Sequence, residues 1–422
     1  KESIMSKLKI GIIGLGTVGS GVYKTLQEMN DIEIVKIAVK NINKPRSVEV
    51  PTSLLTDNPY DLVNNSDIDV VVELIGGVNP AWDYISTAIK NGKHIVTANK
   101  ELLAKKGEEL FNLAEEHNRV ILYEAAIAGG IPIIMPIKTI LAGNKIRKIH
   151  AILNGTTNYI LTKMDADGAS YEDVLKEAQQ LGYAETDPTG DVEGFDAAYK
   201  ITTLATIAFK KRIKIENVHR EGITKVRKED MAKANEFGYK IKLIATATID
   251  ENDNADVRVH PMLVSKDSML AHIDYVKNAI AISGHPIGDI VLSGPGAGEF
   301  PTASSVVGDI LSIKAEFGKT DYMLPMMRCH HHTTAKPVKI EDTFNKYYIS
   351  ITAPNAIGVI AKIGTICANK NISLSSILQK GVSSDNTADI TVITERAQER
   401  LVKEVVDELK DCTVNSIIRV AE

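Results

Sequence analysis

The segment ETDPTGDVEGFDAAYK, residues 185–200, gathers five carboxylates, Glu185, Asp187, Asp191, Glu193 and Asp196, ahead of one lysine, Lys200. Such carboxylates can hold an ammonium group through charge-assisted hydrogen bonds, and a lysine placed among them can move a proton. Pro188 and Gly190 make AETDPTGD a loop. From about Glu193 the pattern turns helical and continues through FDAAYKITTLATIAF, which puts Glu193, Asp196 and Lys200 on one face. An exposed Asp–Lys pair one turn apart contributes only about 0.3–0.5 kcal/mol. The neighbours Ala197, Ala198, Ile201, Leu204 and Ala205 are apolar, however, so this helix is expected to be buried, and its charges then need a polar cleft or a partner. A structural ion pair and a reaction site are both open at this point.

The elements that would position these groups begin at the N-terminus. In KLKIGIIGLGTVGSGVYKTL a short apolar strand runs into Gly14, Leu15, Gly16, Thr17, Val18 and Gly19 and then into a helical pattern. This is G-x-G-x-x-G in the setting that binds a dinucleotide. The first glycine makes the turn, the second admits the pyrophosphate, the third lets helix pack on strand, and the helix N-terminus faces the phosphates. The second strand, EIVKIAVK, ends in Lys40 with Lys44 and Arg46 close by. Bases there suit a 2′-phosphate, so NADP is expected over NAD. Strands IDVVVELIG, HIVTANK and RVILYEAA alternate with helical stretches, implying a doubly wound parallel sheet with ligands at the strand C-termini. Gly76, Thr97, Asn99 and Lys100 fall at such ends. Lys100 opens a helix, where the dipole disfavours a cation unless it has a task.

From about residue 130 the pattern changes. ILNGTTNYIL carries turn and cap residues from Asn154 to Thr157, LIATATID and VRVHPMLV read as strands, and VKNAIAISG as a strand or a buried helix. SGPGAGEFPTASSVVGDILSI is a second glycine-rich loop, including Gly298 and Glu299, that leads into a helix expected to return to the first domain. Residues 326–344 read as a polar linker. Its His330, His331 and His332 are consecutive and lack ligand-spaced partners, so they are not read as a metal site. The remainder gives strand, helix, strand, strand, helix, strand, a ferredoxin-like unit in which Asn355 to Gly358 could receive a small anion. The expected division is a dinucleotide-binding domain at 1–130 and 301–325, a catalytic and dimerisation domain at 131–300, and the C-terminal unit at 345–422.

Bulk composition excludes several classes. A net charge of −5 gives no reason to expect nucleic acid or an anionic membrane as partner, and no apolar run reaches the length of a bilayer span. The chain has three cysteines, Cys329, Cys367 and Cys412, which suits a reducing cytoplasm and leaves residues 1–328 without a thiol nucleophile. Met5 reads as a natural start, with residues 1–4 preceding it.

Taken together, GLGTVGSG, TANKELL, ILNGTTNYIL, GYAETDPTGDVEGFDAAYK, GPGAGEFPTASSVVGD and PNAIGVIAKI resemble, over nearly the whole chain, the homoserine dehydrogenases that carry a C-terminal ACT domain. The resemblance implies a Rossmann α/β domain, an α+β catalytic domain and a ferredoxin-like ACT domain. It implies NAD(P)-dependent interconversion of L-homoserine and L-aspartate 4-semialdehyde, with NADP preferred. Residue by residue, Lys200 matches the acid/base, Lys100 a second lysine near the nicotinamide, Asp196 a further site acid, and Glu185 and Asp191 the substrate-binding acids. Gly14 to Gly19, Lys40, Gly76, Lys100, Gly298 and Glu299 match the cofactor contacts. A sodium ion beside EAAIAGGIP would be held at Glu124, Ile127, Gly129 and Ile131, the last three through carbonyls. An amino-acid effector at the ACT domain, a homodimer or homotetramer, and the cytoplasm are also implied. Delivering hydride to the aldehyde requires a proton for the developing alkoxide, which a lysine with a pKa lowered by desolvation or by a second lysine can supply.

Three positions depart from the family pattern. Tyr199 stands where an arginine is usual, Lys40 replaces an arginine and loses bidentate phosphate binding, and Asn355 replaces the usual aspartate of the ACT ligand loop. Two rival readings remain. Aspartate-semialdehyde dehydrogenase needs a cysteine nucleophile that the N-terminal part lacks. A catalytically silent ACT-type sensor would have no use for Lys100, Glu185, Asp196 and Lys200 together.

Overall fold

The computed structural model describes residues 7–316, 331–382 and 384–422; Met5, Cys329 and His330 lie outside them. Contacts divide the chain into two compact units: Lys1–Arg147 with Tyr199–Glu216 and Asn278–Ala335, and Lys148–Ala198 with Asn217–Lys277 and Lys336–Glu422.

The first unit is built on a six-stranded parallel sheet. Its strands are β1 (Leu8–Ile13), β2 (Ile32–Ala38), β3 (Leu55–Thr56), β4 (Val70–Glu73), β5 (His94–Thr97) and β6 (Ile121–Leu122), in the order β3-β2-β1-β4-β5-β6. Every residue of β4 and β5 is buried, as expected of strands covered on both faces. The order reverses at β1, whose neighbours are β2 and β4, so the crevice at the C-terminal ends of β1 and β4 is the topological switch point. Helix Glu299–Glu316 packs against helix Thr17–Leu26. The approach is close enough that a Cβ on Gly21 would lie 2.7 Å from the Glu299 carbonyl oxygen and 3.0 Å from the Ala303 Cβ. Val22, Leu26, Val306 and Ile310 thereby join Ile10, Ile12, Val70 and Val72 in one core. VKNAIAISG is resolved as a strand, Lys277–His285, followed by Gly288–Pro295.

The second unit is organised around strand Asn254–Ser265, which pairs antiparallel with Tyr239–Ile249. Residues 148–151 of strand Lys145–Ile152 pair with the far side of Tyr239–Ile249. The other edge of Asn254–Ser265 is covered piecewise and in parallel: Asn254–Ala255 by Lys336–Pro337, Arg258–Val259 by His219–Arg220, and Met262–Leu263 by Arg419–Val420. The polar linker therefore contains a paired strand.

The C-terminal module has strand Phe344–Pro354 at its centre, flanked antiparallel by Thr413–Val420 and Thr387–Thr394, with Leu374–Val382 outside the latter. Helices Val359–Asn369 and Glu399–Glu408 cover one face through Ile349, Ile351, Ile363, Val392 and Val402. This is the βαββαβ order read from the sequence. Helix Lys228–Glu236 meets the module through Asp230, which is fully buried. Its carboxylate accepts from the Arg227 guanidinium at 3.0 and 3.1 Å, from Tyr348 Oη at 3.2 Å and from Ser416 Oγ at 2.7 Å. Arg419 donates to Glu399 at 2.6 and 2.9 Å and pairs with Glu221 at 3.0 Å. Among the described residues, no helix is long and apolar enough to cross a membrane.

Candidate active site

The glycine turn leaves β1 with Gly14 at φ +107°. A Cβ on Gly19 would sit 2.2 Å from the Gly14 carbonyl oxygen, so the third glycine is required by the contact of turn and helix. Gly16 differs. It is exposed, its φ of −85° suits any residue, and a Cβ there would meet nothing within 4 Å. As N-cap of helix Thr17–Leu26 it provides no side-chain acceptor, which leaves the first N–H groups for an outside anion. Thr17 is exposed beside it, Val18 is half-buried and Leu15 is in the core. This cradle, open at Gly16 and closed at Gly19, fits a dinucleotide pyrophosphate.

Lys40 and Lys44 are exposed beyond the end of β2. Arg46 turns inward: its guanidinium donates to the carbonyls of Ile42 at 2.9 Å and Lys44 at 2.8 Å and to that of Asn41, tying its own loop. Glu299, the first residue of its helix, pairs with Lys24 at 2.7 Å, and Gly298 precedes it at φ +122°.

At the ends of β4 and β5 stands a group the sequence reading passed over. Glu73 is fully buried. One carboxylate oxygen accepts the N–H groups of Ile75 at 2.9 Å and Gly76 at 3.1 Å, and the other accepts the Thr97 hydroxyl at 2.6 Å. Thr97 Oγ1 in turn accepts the Asn99 N–H at 3.0 Å. Asn99 donates to the Gly77 carbonyl at 2.6 Å and caps helix Lys100–Glu116 by accepting from Leu102 N–H at 3.1 Å. Gly76, at φ +71°, and Lys100 are thus fixed by one buried acid. The signal was present as a lone carboxylate ending the apolar run VVVE. On the same helix Lys105 pairs with Glu101 at 2.6 Å and lies 5.3 Å from the Tyr199 ring centroid, so the tyrosine that departs from the family pattern meets a cation.

Glu124 is buried, and its carboxylate accepts the N–H groups of Ile133 at 2.5 Å, Ile134 at 2.7 Å and Met135 at 2.8 Å. The side chain is occupied with backbone, so a cation here would be met by carbonyl oxygens. Ile127 and Ile131 are buried, and Gly129, at φ +58°, lies so near Gly296 that a Cβ would be 2.3 Å from the Gly296 carbonyl oxygen. The Gly129 carbonyl accepts the Ser305 hydroxyl at 2.6 Å. Against Gly296 sits Asn278, buried with both amide atoms unpartnered, which suits an added charged or polar group. Asp309 accepts the Glu124 N–H at 2.8 Å; burial, reinforced by the Glu124 charge and opposed by that hydrogen bond and Lys138, pushes its carboxyl well above the usual range. Among the described residues there is no group of three or more His, Cys, Asp or Glu able to hold a metal.

In the second unit the acid-rich segment is more ordered than a loop. Asp187 accepts from the Thr189 N–H at 3.1 Å and hydroxyl at 2.6 Å, bonds that also hold its carboxyl below the usual range, and this starts a short helix, Thr189–Val192. Glu193 accepts the Thr224 hydroxyl at 3.0 Å. Helix Phe195–Phe209 begins two residues later than the periodicity indicated. Asn154 joins two of the acids: its amide nitrogen donates to Asp191 at 2.7 Å and to Asp196 at 2.9 Å, while its oxygen caps helix Gly155–Asp167 at Thr157 N–H, 2.8 Å away. Sequence reading saw Asn154 as a cap alone. Glu185 is exposed, and its carbonyl accepts from Gln179 at 3.1 Å. Asp196 and Lys200 are only 7% and 8% exposed, one turn apart on an apolar helix.

A parallel sheet with a bare helix N-terminus at its switch point, a buried aspartate and lysine one turn apart on an apolar helix and a βαββαβ module together define a nicotinamide-dinucleotide oxidoreductase with an ACT domain. Residues 14–124 match the profile of the homoserine dehydrogenase NAD binding domain, 132–311 that of homoserine dehydrogenase itself, and 347–413 that of the ACT domain. A homoserine dehydrogenase of Synechocystis is 41% identical over 430 residues, spanning 98% of this chain and 99% of that one. The crystal structure of the Thiobacillus denitrificans homoserine dehydrogenase superposes with TM-score 0.92 at 37% identity, covering 99% of each chain. A hyperthermophilic archaeal homoserine dehydrogenase mutant in complex with NADPH covers 74% of this chain and 99% of its own, with TM-score 0.63 and 28% identity. The chain belongs to the homoserine dehydrogenase family. Its reaction interconverts L-homoserine and L-aspartate 4-semialdehyde with a nicotinamide dinucleotide.

Proposed function

We propose that Lys200 is the acid/base of this reaction. The observation that carries the reading is the burial of Asp196 and Lys200 one turn apart on helix Phe195–Phe209, where a charged pair with no task would be costly. The nicotinamide ring supplies or accepts the hydride. In the reducing direction Lys200 Nζ gives a proton to the oxygen of the former aldehyde; in the oxidising direction it removes the proton from the homoserine hydroxyl. Glu185 and Asp191 receive the substrate ammonium. Asp196, held with Asp191 by the Asn154 amide, orients groups around the reacting carbon. Lys100, fixed by the Glu73–Thr97–Asn99 chain, is the second lysine, next to the nicotinamide.

Gly14 to Gly19 receive the pyrophosphate, with Gly76, Gly298 and Glu299 completing the cofactor contacts. The exposed Lys40 and Lys44 favour NADP over NAD. Glu124 and the backbone carbonyls of Ile127, Gly129 and Ile131 hold a sodium ion, for which the unpartnered Asn278 amide supports a polar environment. The dinucleotide-binding domain takes residues 1–130 and 301–325, the catalytic and dimerisation domain 131–300 and the ACT domain 345–422, a functional division that differs from the two compact units, which split the middle segment between them. An amino-acid effector docks at Asn355–Gly358, where Gly358, at φ +92°, starts helix Val359–Asn369 without a side-chain cap. The enzyme acts in the cytoplasm as a homodimer or homotetramer.

The test is homoserine-dependent reduction of NADP and of NAD at alkaline pH. Lys200→Ala should lower turnover by about 10² or more, within the range of general acid–base contributions, with NADP affinity retained. Unchanged turnover would remove Lys200 from the mechanism.

A further inference from the structure

A cavity of about 380 Å³ lies within the first unit, beside helix Lys100–Glu116. Its lining includes Phe111, Tyr123, Thr203, Thr206, Arg212 and His331, and none of the residues assigned above to cofactor or substrate. Its volume is at the lower end of small-molecule pockets, which run from roughly 300 to 1,000 Å³. It far exceeds the ~30 Å³ that a single water occupies in the liquid.

The wall is mostly satisfied. Thr206 Oγ1 donates to the Thr202 carbonyl at 2.8 Å and accepts the Ile213 N–H at 3.1 Å. Arg212 pairs with Glu108, and Glu109 with Lys106 at 2.9 Å, so these acids already have cationic partners. Phe111 and Tyr123 stack at 5.3 Å between centroids and form an apolar side. His331 is the exception. It is 7% exposed, and both ring nitrogens are buried without a hydrogen-bond partner. Burial first, then the charges of Lys138, Arg212 and His332, hold its pKa at about 4, so the ring is neutral at physiological pH and offers one N–H and one acceptor. A group that satisfies this N–H must accept a hydrogen bond, and the cations near it favour an anion.

We infer that this cavity is a binding site for a small carboxylate, seated against the His331 ring N–H, with Arg212, already bridged to Glu108, on the same wall.

Succinate is the probe. The full-length enzyme, with its histidine rings isotopically labelled, is titrated while imidazole resonances and the heat of binding are followed. Binding with a Kd near 1 mM, about −4 kcal/mol, should shift the His331 ring and persist when L-homoserine and NADP are saturating. His331→Phe should weaken binding by about tenfold or more, and His331→Gln, which keeps a neutral donor and acceptor, by about threefold or less. NADP binding by both variants checks that each is folded, and the glutamine variant carries the test if the phenylalanine variant is not. No shift of the His331 ring at about 50 mM succinate, fifty times that Kd, would overturn the proposal by leaving the cavity to water. Displacement of succinate by L-homoserine would do so by placing it in the substrate site, as would undiminished binding to His331→Phe.

Discussion

Two glycines three residues apart in the chain's first motif, Gly16 and Gly19, should respond to the same alanine substitution in different ways. At Gly19 the added Cβ would stand 2.2 Å from the Gly14 carbonyl oxygen, against an ordinary contact of 3.4–4 Å, so turn and helix must part by about 1.2 Å, from 3.4 minus 2.2. Both sides of that contact are backbone, and Gly14 is held at φ +107°, so neither yields as a side chain would. Overpacking of this kind costs about 1–3 kcal/mol. At Gly16 nothing lies within 4 Å and φ is −85°. Reduced freedom of the unfolded chain stabilises by about 0.4–1 kcal/mol, and alanine is a poorer N-cap than glycine, so the two effects offset to within about 1 kcal/mol. The methyl group would, however, occupy the space a pyrophosphate needs. The pair is tested by thermal unfolding without ligand and by calorimetric titration with NADPH. Gly19→Ala should lower the unfolding midpoint and weaken NADPH binding. Gly16→Ala should leave the midpoint nearly unchanged while weakening NADPH by about tenfold or more, equivalent to 1.4 kcal/mol. Wild-type affinity in Gly16→Ala would refute the placement of the phosphates over this turn.

Glu185→Gln removes a charge proposed to face the substrate ammonium and should mainly raise the Michaelis constant for L-homoserine; an unaltered constant in steady-state assays would count against that role. Asp230→Ala leaves Arg227, Tyr348 and Ser416 without their shared acceptor and should cost about 3–5 kcal/mol, seen as a lower urea midpoint and faster proteolysis near residue 345. Wild-type resistance would show that this contact does not hold the module. His94 Nδ1 accepts the Val120 N–H at 3.2 Å, and burial, then the Arg119 charge, lowers its pKa from 6.5 to about 4. The unfolded state therefore binds the proton first, so this contribution is complete above pH 6.5 and is lost as pH falls toward 4. His150, held at about 3 by burial and then by Lys148 and Arg258, acts in the same direction. His94→Asn keeps an acceptor for Val120 without titrating, so its urea midpoint should fall less between pH 6.5 and 4.5; parallel curves would exclude His94.

The fold was legible where local chemistry determines it. Gly14, Gly16 and Gly19 follow an apolar strand because turn, phosphate space and helix packing each constrain one residue, and the largely apolar, fully buried β4 and β5 belong to a sheet covered on both faces. The acid-rich loop was misjudged in part because the bonds from Thr189 to Asp187 begin a turn of helix that Pro188 and Gly190 conceal in the sequence. Lys200 and Asp196 were singled out because charge on an apolar helix is conspicuous, and both are buried there. Glu73, Asp309 and the double role of Asn154 were not, because each acts through partners distant in sequence: Thr97, Glu124, and Asp191 with Asp196. His331 was read as part of a histidine run in a linker; its isolation from any partner is visible only in three dimensions.

The strand Asn254–Ser265 has one edge closed by three short patches, and the last of them, Arg419–Val420, belongs to the final strand of the chain. Ala421 N–H extends that patch to the Leu263 carbonyl at 2.8 Å. Cutting the chain before the ACT module would bare N–H and C=O groups at Met262 and Leu263, on a strand whose residues there are buried and apolar. An edge of that kind is a template for intermolecular pairing. A truncated enzyme would thus carry an aggregation hazard, and anyone shortening this chain for use as a catalyst should first place a charge or a proline on that edge.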